Sequence, residues 1–174
     1  MNIRKATARD IRSVAKVHAE SWRTAYKGIV PDEYLSFAET VDWEEHWSSI
    51  EKPEYKTQVF VADSEEFGVV GVASAGPERT GDNVYAGELY ALYLLPNFQG
   101  IGLGKRLTIT TSKHLVEIGI HSMLVWMFKN NTRAKLFYQA LGADYIRDKE
   151  ITVAGGLVTI TAYGWKDLTV MTEV

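Results

Sequence analysis

The stretch Gln99-Gly100-Ile101-Gly102-Leu103-Gly104-Lys105 decides the fold prediction for this chain. Glycine stands at alternate positions, so every second Cβ is absent and the main chain can approach an anion closely. The first N–H groups of a following helix have no acceptor within that helix, and they point toward such an anion. The stretch therefore predicts a backbone cradle for phosphate at the start of a helix.

The flanking sequence predicts a strand before this glycine loop and a helix after it. The segment 88–95 is short and rich in aromatic and aliphatic residues, and Pro96 ends it, as expected of a buried strand. After the loop, apolar residues from Leu103 to Ile118 populate one helical face. A glycine-rich turn between a strand and a helix is also common as a purely structural feature, so the loop alone leaves that alternative open.

Two better-known phosphate motifs do not fit the loop. A Walker A loop needs Ser or Thr after Gly-Lys, whereas Arg106 follows Gly104 and Lys105. A dinucleotide fingerprint needs a third glycine three residues after the second, and Lys105 stands at that position. The pattern that fits is Gln-x-x-Gly-x-Gly, with Gln99, Gly102 and Gly104 at the fixed places.

A second motif, Asn-x-x-Ala-x-x-Phe-Tyr-x-x-x-Gly, follows a strand-like segment downstream of the loop. Its residues are Asn131, Ala134, Phe137, Tyr138 and Gly142. Asparagine caps helix N-termini, the apolar members fall on one helical stripe, and glycine ends helices. A capped core helix would explain the phenylalanine well, and for the tyrosine the structural and functional interpretations are evenly matched.

Together, the two motifs resemble those of the GNAT superfamily of N-acetyltransferases, in this order and spacing and over nearly the whole chain. The resemblance implies a single catalytic domain, residues 1–174, with an α/β sandwich fold. Its central sheet is mixed and mostly antiparallel, with helices on both faces. The strand before the glycine loop bulges and splays away from the strand after the loop's helix.

Periodicity along the chain agrees with that fold, because helix-like and strand-like segments alternate in the order βααα-βββ-α-β-α-ββ. A capping-box pair, Thr7 and Asp10, starts the first helix, and Gly155-Gly156 favours a tight hairpin turn at the end. Strands are predicted at 2–5, 57–62, 69–75, 88–95, 122–127, 144–152 and 157–165, and helices at 7–26, 31–37, 41–50, 103–118 and 131–141.

The resemblance also implies a site for acetyl-CoA. Main-chain groups of Leu92, Tyr93 and Leu94 are expected to bind the pantetheine arm in the splay. Asn131 is expected to contact the coenzyme arm, and Tyr138 to face the thioester sulfur. The pyrophosphate is assigned to the loop formed by Gln99, Gly100, Ile101, Gly102, Leu103, Gly104 and Lys105.

The chemistry of amide formation needs an acid and a base, since an alkyl amine is protonated at pH 7 and a thiolate must leave. Tyr138 is the predicted acid and Glu88 the predicted base, through water, in line with the roles of such residues in the family. For Glu88 a structural ion pair is an equal alternative. His18, on the first helix, and His121 are weaker candidates, because lone histidines on amphipathic faces are usually packed or solvated.

The acceptor is expected to be an amine on a small molecule or a peptide. Aromatic residues that concentrate in the first helices, Trp22, Tyr26, Tyr34, Trp43 and Trp47, could form a wall for a cationic amine, although core packing is the commoner role for such residues. The substrate itself stays unidentified. A CoA-binding sensor or scaffold of the same fold is the alternative function, and a homodimer is possible.

Composition excludes several other classes. The net charge of −3, from 19 basic and 22 acidic residues, argues against a nucleic-acid partner. The chain contains 0 cysteines, which excludes disulfides, thiolate metal sites and an acyl-cysteine intermediate, so acyl transfer is expected to be direct. No histidine pair has metal-ligand spacing, so no metal is expected. Without a long apolar run or signal-like start, no membrane association is expected and the predicted location is cytoplasmic.

Overall fold

The computed structural model describes residues 1–48, 56–153 and 156–172, and its centre is a seven-stranded sheet in the order β1-β2-β3-β4-β5-β7-β6. Six α-helices lie around the sheet in these described residues. The strands are β1 (Asn2–Lys5), β2 (Gln58–Ser64), β3 (Gly68–Pro77), β4 (Gly87–Leu94), β5 (Met123–Phe128), β6 (Asp144–Val153) and β7 (Gly156–Trp165), and the helices are α1 (Ile11–Ala25), α2 (Asp32–Glu39), α3 (Trp43–Trp47), α4 (Leu103–Glu117), α5 (Thr132–Ala140) and α6 (Thr169–Thr172).

The sheet is mixed and mostly antiparallel, as predicted. Five of its neighbouring pairs are antiparallel, and β4 with β5 is the parallel pair. A parallel pair requires a crossover, and α4 provides it. The glycine loop therefore lies at the end of β4 from which this crossover starts.

The predicted splay is present between β4 and β5. Their pairing covers residues 87–89 of β4 and 123–125 of β5, although β4 continues to Leu94 and β5 to Phe128. The register of β3 against β4 also shifts between Ser74 and Ala75, the signature of a β-bulge. A bulge adds local twist to a strand, which helps β4 to diverge from β5 and leave a cleft between them.

Two cores cover the two faces of the sheet. The alternation of side chains along β2 illustrates the division, because Phe60 and Ala62 pack on the α4 side while Val59 and Val61 pack on the α1 side. The α4-side core is the larger, and Leu107 of α4 is fully buried within it. Helices thus cover both faces, as expected of an α/β sandwich.

The element boundaries agree with the predictions to within a few residues. The predicted helix at 41–50 corresponds to α3, and positions 49 and 50 lie outside the described residues, as does Gly155 of the predicted hairpin turn. Helix α6 was not predicted, because it is too short for a periodic pattern. It is fixed instead by Asp167, whose Oδ1 accepts from the Thr169 backbone N–H at 2.9 Å, and by fully buried Leu168.

Candidate active site

A cavity of about 700 Å³ occupies the cleft between β4 and α5 and reaches the glycine loop. Most of the predicted coenzyme residues line it, together with Tyr138. Ile101 and Leu103 do not, since the Ile101 side chain is exposed and the Leu103 side chain is in the core. The predicted residues that line the cleft are Leu92, Leu94, Gln99, Gly100, Gly102, Gly104, Lys105 and Asn131.

Two glycines of the loop have backbones that favour glycine. Gly100 has a φ of +77° and Gly102 a φ of +84°, in the left-handed region. Gly102 is also the N-cap of α4, and the first hydrogen bond of this helix runs from the Arg106 N–H to the Gly102 carbonyl at 3.1 Å. The N–H groups of the first turn before Arg106, including that of Leu103, therefore have no intrahelical acceptor and suit an anion.

Gly104 has a different role, since it lies within α4. A Cβ at this position would be 3.3 Å from the ring of Phe137, closer than most real contacts. The small residue lets α4 and α5 approach each other beside the cleft. The pattern Gly-x-Gly thus combines one conformational requirement with one packing requirement.

The main-chain groups of β4 face the cleft at alternate residues. The Leu95 N–H donates to the Val70 carbonyl of β3, whereas the Leu94 carbonyl faces away from β3 and accepts from Ser21 Oγ at 3.1 Å and Gln99 Nε2 at 2.8 Å. In an antiparallel ladder successive residues alternate in this way. The main-chain groups of Leu92 therefore share the cleft side with those of Leu94.

This alternation corrects one expectation. Tyr93 pairs with Val72 of β3, and its main-chain groups have the direction of those of Leu95, toward β3. The backbone of Tyr93 is therefore used by the sheet and does not face the cleft. The motif-based expectation had counted three consecutive residues, but a strand presents only every second one.

Asn131 caps α5 at the edge of the cleft. Its Oδ1 accepts from the Ala134 N–H at 3.1 Å, as predicted for an N-cap residue. The acceptor oxygen of the side chain is thereby used, so the amide NH₂ group is its free polar function toward a ligand.

Tyr138 is buried on α5, with 7% of its surface exposed. Its ring packs against those of Phe137, at 5.1 Å between centroids, and Trp165, at 6.0 Å. Burial raises the pKa of the Tyr138 hydroxyl, and the neighbouring Tyr26 raises it further. The hydroxyl therefore stays protonated at neutral pH and is a proton and hydrogen-bond donor in the cleft.

Glu88 is also buried, with 4% exposed, and its carboxylate has a partner. Arg79 donates from Nη2 to Oε1 at 2.7 Å and from Nε to Oε2 at 3.2 Å, and the same guanidinium lies 3.8 Å from the ring centre of Tyr90. The ion pair that was an alternative interpretation of Glu88 is thus formed in the structure. Any proton transfer to Glu88 takes place at a carboxylate already bound by a cation.

A second cavity, of about 760 Å³, lies on the α1 side of β4 and is rich in rings. Tyr93 lines it and also lines a smaller cavity in the splay that contains Tyr138, as do Tyr90 and Ala91, so this part of β4 borders both spaces. We call the larger one the aromatic cavity. Its ring-bearing side chains are those of His18, Trp22, Trp43, His46, Trp47, Tyr90 and Tyr93.

The aromatic residues predicted to form one wall divide into two groups. Trp22, Trp43 and Trp47 line the aromatic cavity. Tyr26 and Tyr34 do not line it, and they pack against the ring of Phe128, at 4.9 Å and 5.5 Å. Trp22 joins the two groups, because its ring also contacts those of Tyr26, at 4.6 Å, and Tyr34, at 5.7 Å. Helical spacing in the sequence places Trp22 one turn after His18, but the contribution of α3 depends on how that helix packs on α1.

His18 is a buried part of the cavity wall, and its environment does not suit a catalytic base. It is 4% exposed, its ring stacks on Tyr93 at 4.2 Å, and its Nδ1 accepts from Trp47 Nε1 at 3.1 Å. Burial, with a smaller contribution from His46, lowers the pKa of His18 to about 3, so the ring is neutral at physiological pH. His121, the other weaker candidate, is exposed and lies outside both cavities.

Solved structures of low sequence identity share this architecture. PaiA N-acetyltransferase from Thermoplasma acidophilum, solved with coenzyme A, superimposes with a TM-score of 0.73 at 21% identity, covering 94% of this chain and 98% of that one. YncA from Salmonella typhimurium, solved with acetyl-CoA, gives 0.74 at 21% identity, covering 97% and 94%. These similarities establish the fold class, that of the GNAT acetyltransferases.

Sequence comparison establishes the family. The FR47-like protein family matches residues 81–152, which contain β4, the glycine loop and α5. The uncharacterized N-acetyltransferase YuaI of Bacillus subtilis (strain 168) is 36% identical over 171 residues, which cover 98% of this chain and 96% of that protein. The chain belongs to the GNAT family of N-acetyltransferases.

The described residues contain neither a metal site nor a membrane-spanning helix. Within ranges 1–48, 56–153 and 156–172, no group of three or more His, Cys, Asp or Glu side chains is arranged to hold a metal ion. Among the helices of these ranges, none has the length and apolarity needed to cross a membrane.

Proposed function

We propose that this protein transfers an acetyl group from acetyl-CoA to a primary amine by direct attack within a ternary complex. The observation that carries the proposal is the cleft between β4 and α5. It joins a glycine cradle with unpaired helix N–H groups, outward-facing main-chain groups of Leu92 and Leu94, and the buried donor Tyr138. A single catalytic domain, residues 1–174, in the cytoplasm, belongs to this proposal.

Acetyl-CoA would bind along this cleft in an extended form. Its pyrophosphate would accept hydrogen bonds from the N–H groups at the start of α4, where the helix dipole also favours negative charge. The amide groups of pantetheine would pair with the main-chain groups of Leu92 and with the Leu94 N–H, where β5 has diverged from β4, as an added strand does. The Leu94 carbonyl is already occupied by Ser21 and Gln99. The thioester would then lie beside Tyr138, because α5 forms the far wall of the cleft.

The chemistry requires a neutral amine. Its ammonium form would lose a proton through water to the carboxylate of Glu88, and the nitrogen lone pair would attack the thioester carbonyl carbon. A C–N bond forms, and the C–S bond breaks as the intermediate collapses. The thiolate would take its proton from Tyr138, and the second amine proton would pass through water to the Tyr138 oxygen. Glu88 would then release the first proton to solvent, so that N-acetylamine and free coenzyme A leave and both side chains are restored.

Because burial raises the pKa of the Tyr138 hydroxyl, the group stays protonated and can donate a hydrogen bond to the departing sulfur, although the same shift makes it a weaker acid. A thiol has a pKa of about 8.5, so thiolate can leave without full protonation. Tyr138 would therefore assist departure rather than be indispensable to it. The Arg79 pair at Glu88 means that the base acts from a fixed position, through water, rather than as a mobile side chain.

A CoA-binding sensor or scaffold of the same fold is the second candidate. It would use the same glycine cradle without turnover, and the exposed face of β6 at the edge of the sheet offers a place for a homodimer. The presence of both Tyr138 and Glu88 favours catalysis over this candidate.

The deciding experiment is a thiol-release assay with acetyl-CoA against polyamines, aminoglycosides, amino acids and peptides. Turnover with one class would identify the acceptor, and no turnover with any, despite CoA binding, would favour the sensor. Coenzyme A binding is measured separately, as a rise in the melting temperature. Glu88→Gln and Tyr138→Phe should lower the rate while that rise stays near normal.

A further inference from the structure

Two residues that line the aromatic cavity each carry a buried ring nitrogen that lacks a hydrogen-bond partner. Neither the Nε2 of His18 nor the Nε1 of Trp22 has a hydrogen-bond partner among the described residues. The two rings, on successive turns of α1, lie 5.8 Å apart between centroids, and both line the cavity. Buried polar groups are ordinarily paired, so two such atoms beside one cavity point to a ligand that completes their hydrogen bonding.

Both atoms are hydrogen-bond donors. The Trp22 indole nitrogen can only donate. For His18, the neutral ring has one N–H and one acceptor nitrogen, and Nδ1 is the acceptor because Trp47 Nε1 donates to it at 3.1 Å. The proton of His18 is therefore on Nε2. His18 has no lone pair free to remove a proton from an amine, which excludes it as the base.

The charged groups near the cavity are already engaged. Glu78 accepts the backbone N–H groups of Thr80 and Asp82, and Arg79 binds Glu88. The unmet hydrogen-bonding requirement beside this cavity is therefore for an acceptor of two hydrogen bonds. A carbonyl or carboxylate oxygen has that capacity, whereas an ammonium group has none.

We infer that the aromatic cavity binds the acceptor substrate through an oxygen of a carbonyl or carboxylate group, held by His18 Nε2–H and Trp22 Nε1–H, with an apolar body against the surrounding rings. The substrate is then an amino acid, an amino acid amide or a peptide end rather than a simple alkylamine or polyamine. This inference rests on the proposed function, because it places the acceptor beside the segment Tyr90 to Tyr93 of β4, from which Tyr90, Ala91 and Tyr93 line both the aromatic cavity and the space at Tyr138.

Binding must involve movement of a wall side chain. Both donor atoms are closed to solvent, and the ring of Trp43 packs against His18 at 3.9 Å between centroids. A buried N–H group without an acceptor destabilises the free protein. A ligand oxygen that accepts from it removes this cost, so the free energy gained contributes to binding. Ligands without that oxygen do not recover it.

The test compares three molecules with the same body: phenylalaninamide, phenylalanine and phenethylamine. Their affinities for the CoA-bound protein are measured by calorimetry, which does not depend on turnover. The two oxygen-bearing molecules should bind at least about tenfold more tightly than phenethylamine. A preference for the carboxylate over the amide would add a role for charge. Equal affinities for all three, or no binding of any, would overturn the inference.

Variants of the two donors separate recognition from packing. His18→Asn keeps an oxygen near Nδ1 for Trp47 and removes the Nε2 donor, while His18→Gln restores an amide N–H near Nε2. His18→Asn and Trp22→Phe should each bring the ratio of affinities, oxygen-bearing molecule against phenethylamine, close to one. His18→Gln should recover part of that ratio. If the two side chains had only a structural role, each substitution would instead lower the affinity for all three molecules equally and leave the ratio unchanged.

Trp126→Phe is the matched control. It removes the other indole N–H that lacks a partner among the described residues, and Trp126 lines the splay cavity with Tyr138 rather than the aromatic cavity, so the variant tests the loss of an indole N–H outside the proposed acceptor site. The ratio should stay at its wild-type value in this variant.

Thiol release distinguishes the two proposals. Turnover with amines of every kind and no oxygen preference would overturn this inference alone, whereas coenzyme A binding without any turnover would overturn the proposed function.

Discussion

The guanidinium of Arg79 binds both carboxylate oxygens of Glu88, with 2.7 Å between Nη2 and Oε1 and 3.2 Å between Nε and Oε2. The carboxylate is buried at the edge where β4 meets β5, whereas 60% of the Arg79 side chain is exposed. The pair thus fixes one end of β4 at the point where the splay begins. Its two members have different expected roles, which mutation can separate.

Arg79→Ala should lower the free energy of unfolding, because it leaves a buried carboxylate without its cation. Loss of a partner from a fully buried pair costs about 3–5 kcal/mol, and the exposure of Arg79 reduces the expected loss to about 1–2 kcal/mol. The double variant with Glu88→Gln should recover most of that stability in urea unfolding but not the acetylation rate. Recovery of both would make Glu88 a structural residue alone.

Tyr138→Phe should slow acetyl transfer without weakening coenzyme A binding. General acids contribute about 10²–10⁴-fold, and the modest pKa of a thiol leaving group places the expected loss near the lower end, about 10²-fold in kcat. Steady-state thiol release gives the rate, and the melting-temperature shift with coenzyme A gives the binding. An unchanged kcat would contradict the assignment of Tyr138 as the acid.

Gly102→Ala should weaken coenzyme A binding through the backbone. Its φ of +84° is in the left-handed region, which costs a residue with a Cβ about 1–2 kcal/mol. Gly119→Ala is the matched control, because Gly119 has a φ of +85° at the other end of α4. At both glycines an added Cβ would meet no other heavy atom of the described residues within 4 Å. Both variants should lose similar stability, and only the first should lose affinity for coenzyme A.

The stability of the protein should fall as the pH is lowered from 7.5 to 5.5, in part because of His18. Its pKa is about 3 in the folded state, below the value near 6.5 of the unfolded chain. Between these values the unfolded state binds more protons, so protonation favours unfolding by up to about 1.4 kcal/mol per pH unit.

Urea unfolding at the two pH values measures this effect, and His18→Asn should reduce the difference between them. The pKa values of His46 and His114 are also lowered, mainly by burial, so part of the pH dependence should remain in the variant. A pH dependence identical to that of the wild type would contradict the assignment to His18.

The coenzyme side of the site was predictable from the sequence because its parts are local. Gly102 is the N-cap of α4 and Gly104 lies in its first turn, while Tyr138 lies about two turns after Asn131, the N-cap of α5. Helix capping, positive φ and helical spacing are properties of short segments. The backbone role assigned to Tyr93 was wrong because strand register, set by the pairing of β4 with β3, decides which main-chain groups are free.

The acceptor side was not predictable in the same way. His18 and Trp22 are on α1, Trp47 is on α3 and Arg79 precedes β4, so their contacts depend on long-range packing. No local pattern fixes which nitrogen of His18 carries the proton, or that Glu88 is paired with Arg79 rather than solvated.

The sequence by itself determined the local parts of the donor side: the alternating glycines predicted an anion cradle and the Asn131 motif predicted a capped helix with its tyrosine, because each is a short-range constraint on the backbone. The resemblance of these two motifs to those of the GNAT family implied coenzyme A. Only the tertiary structure decided the environment of the acceptor. There, residues distant in the chain meet on one face of β4, and burial and hydrogen bonding between them set protonation and leave two donors, His18 Nε2–H and Trp22 Nε1–H, for a ligand.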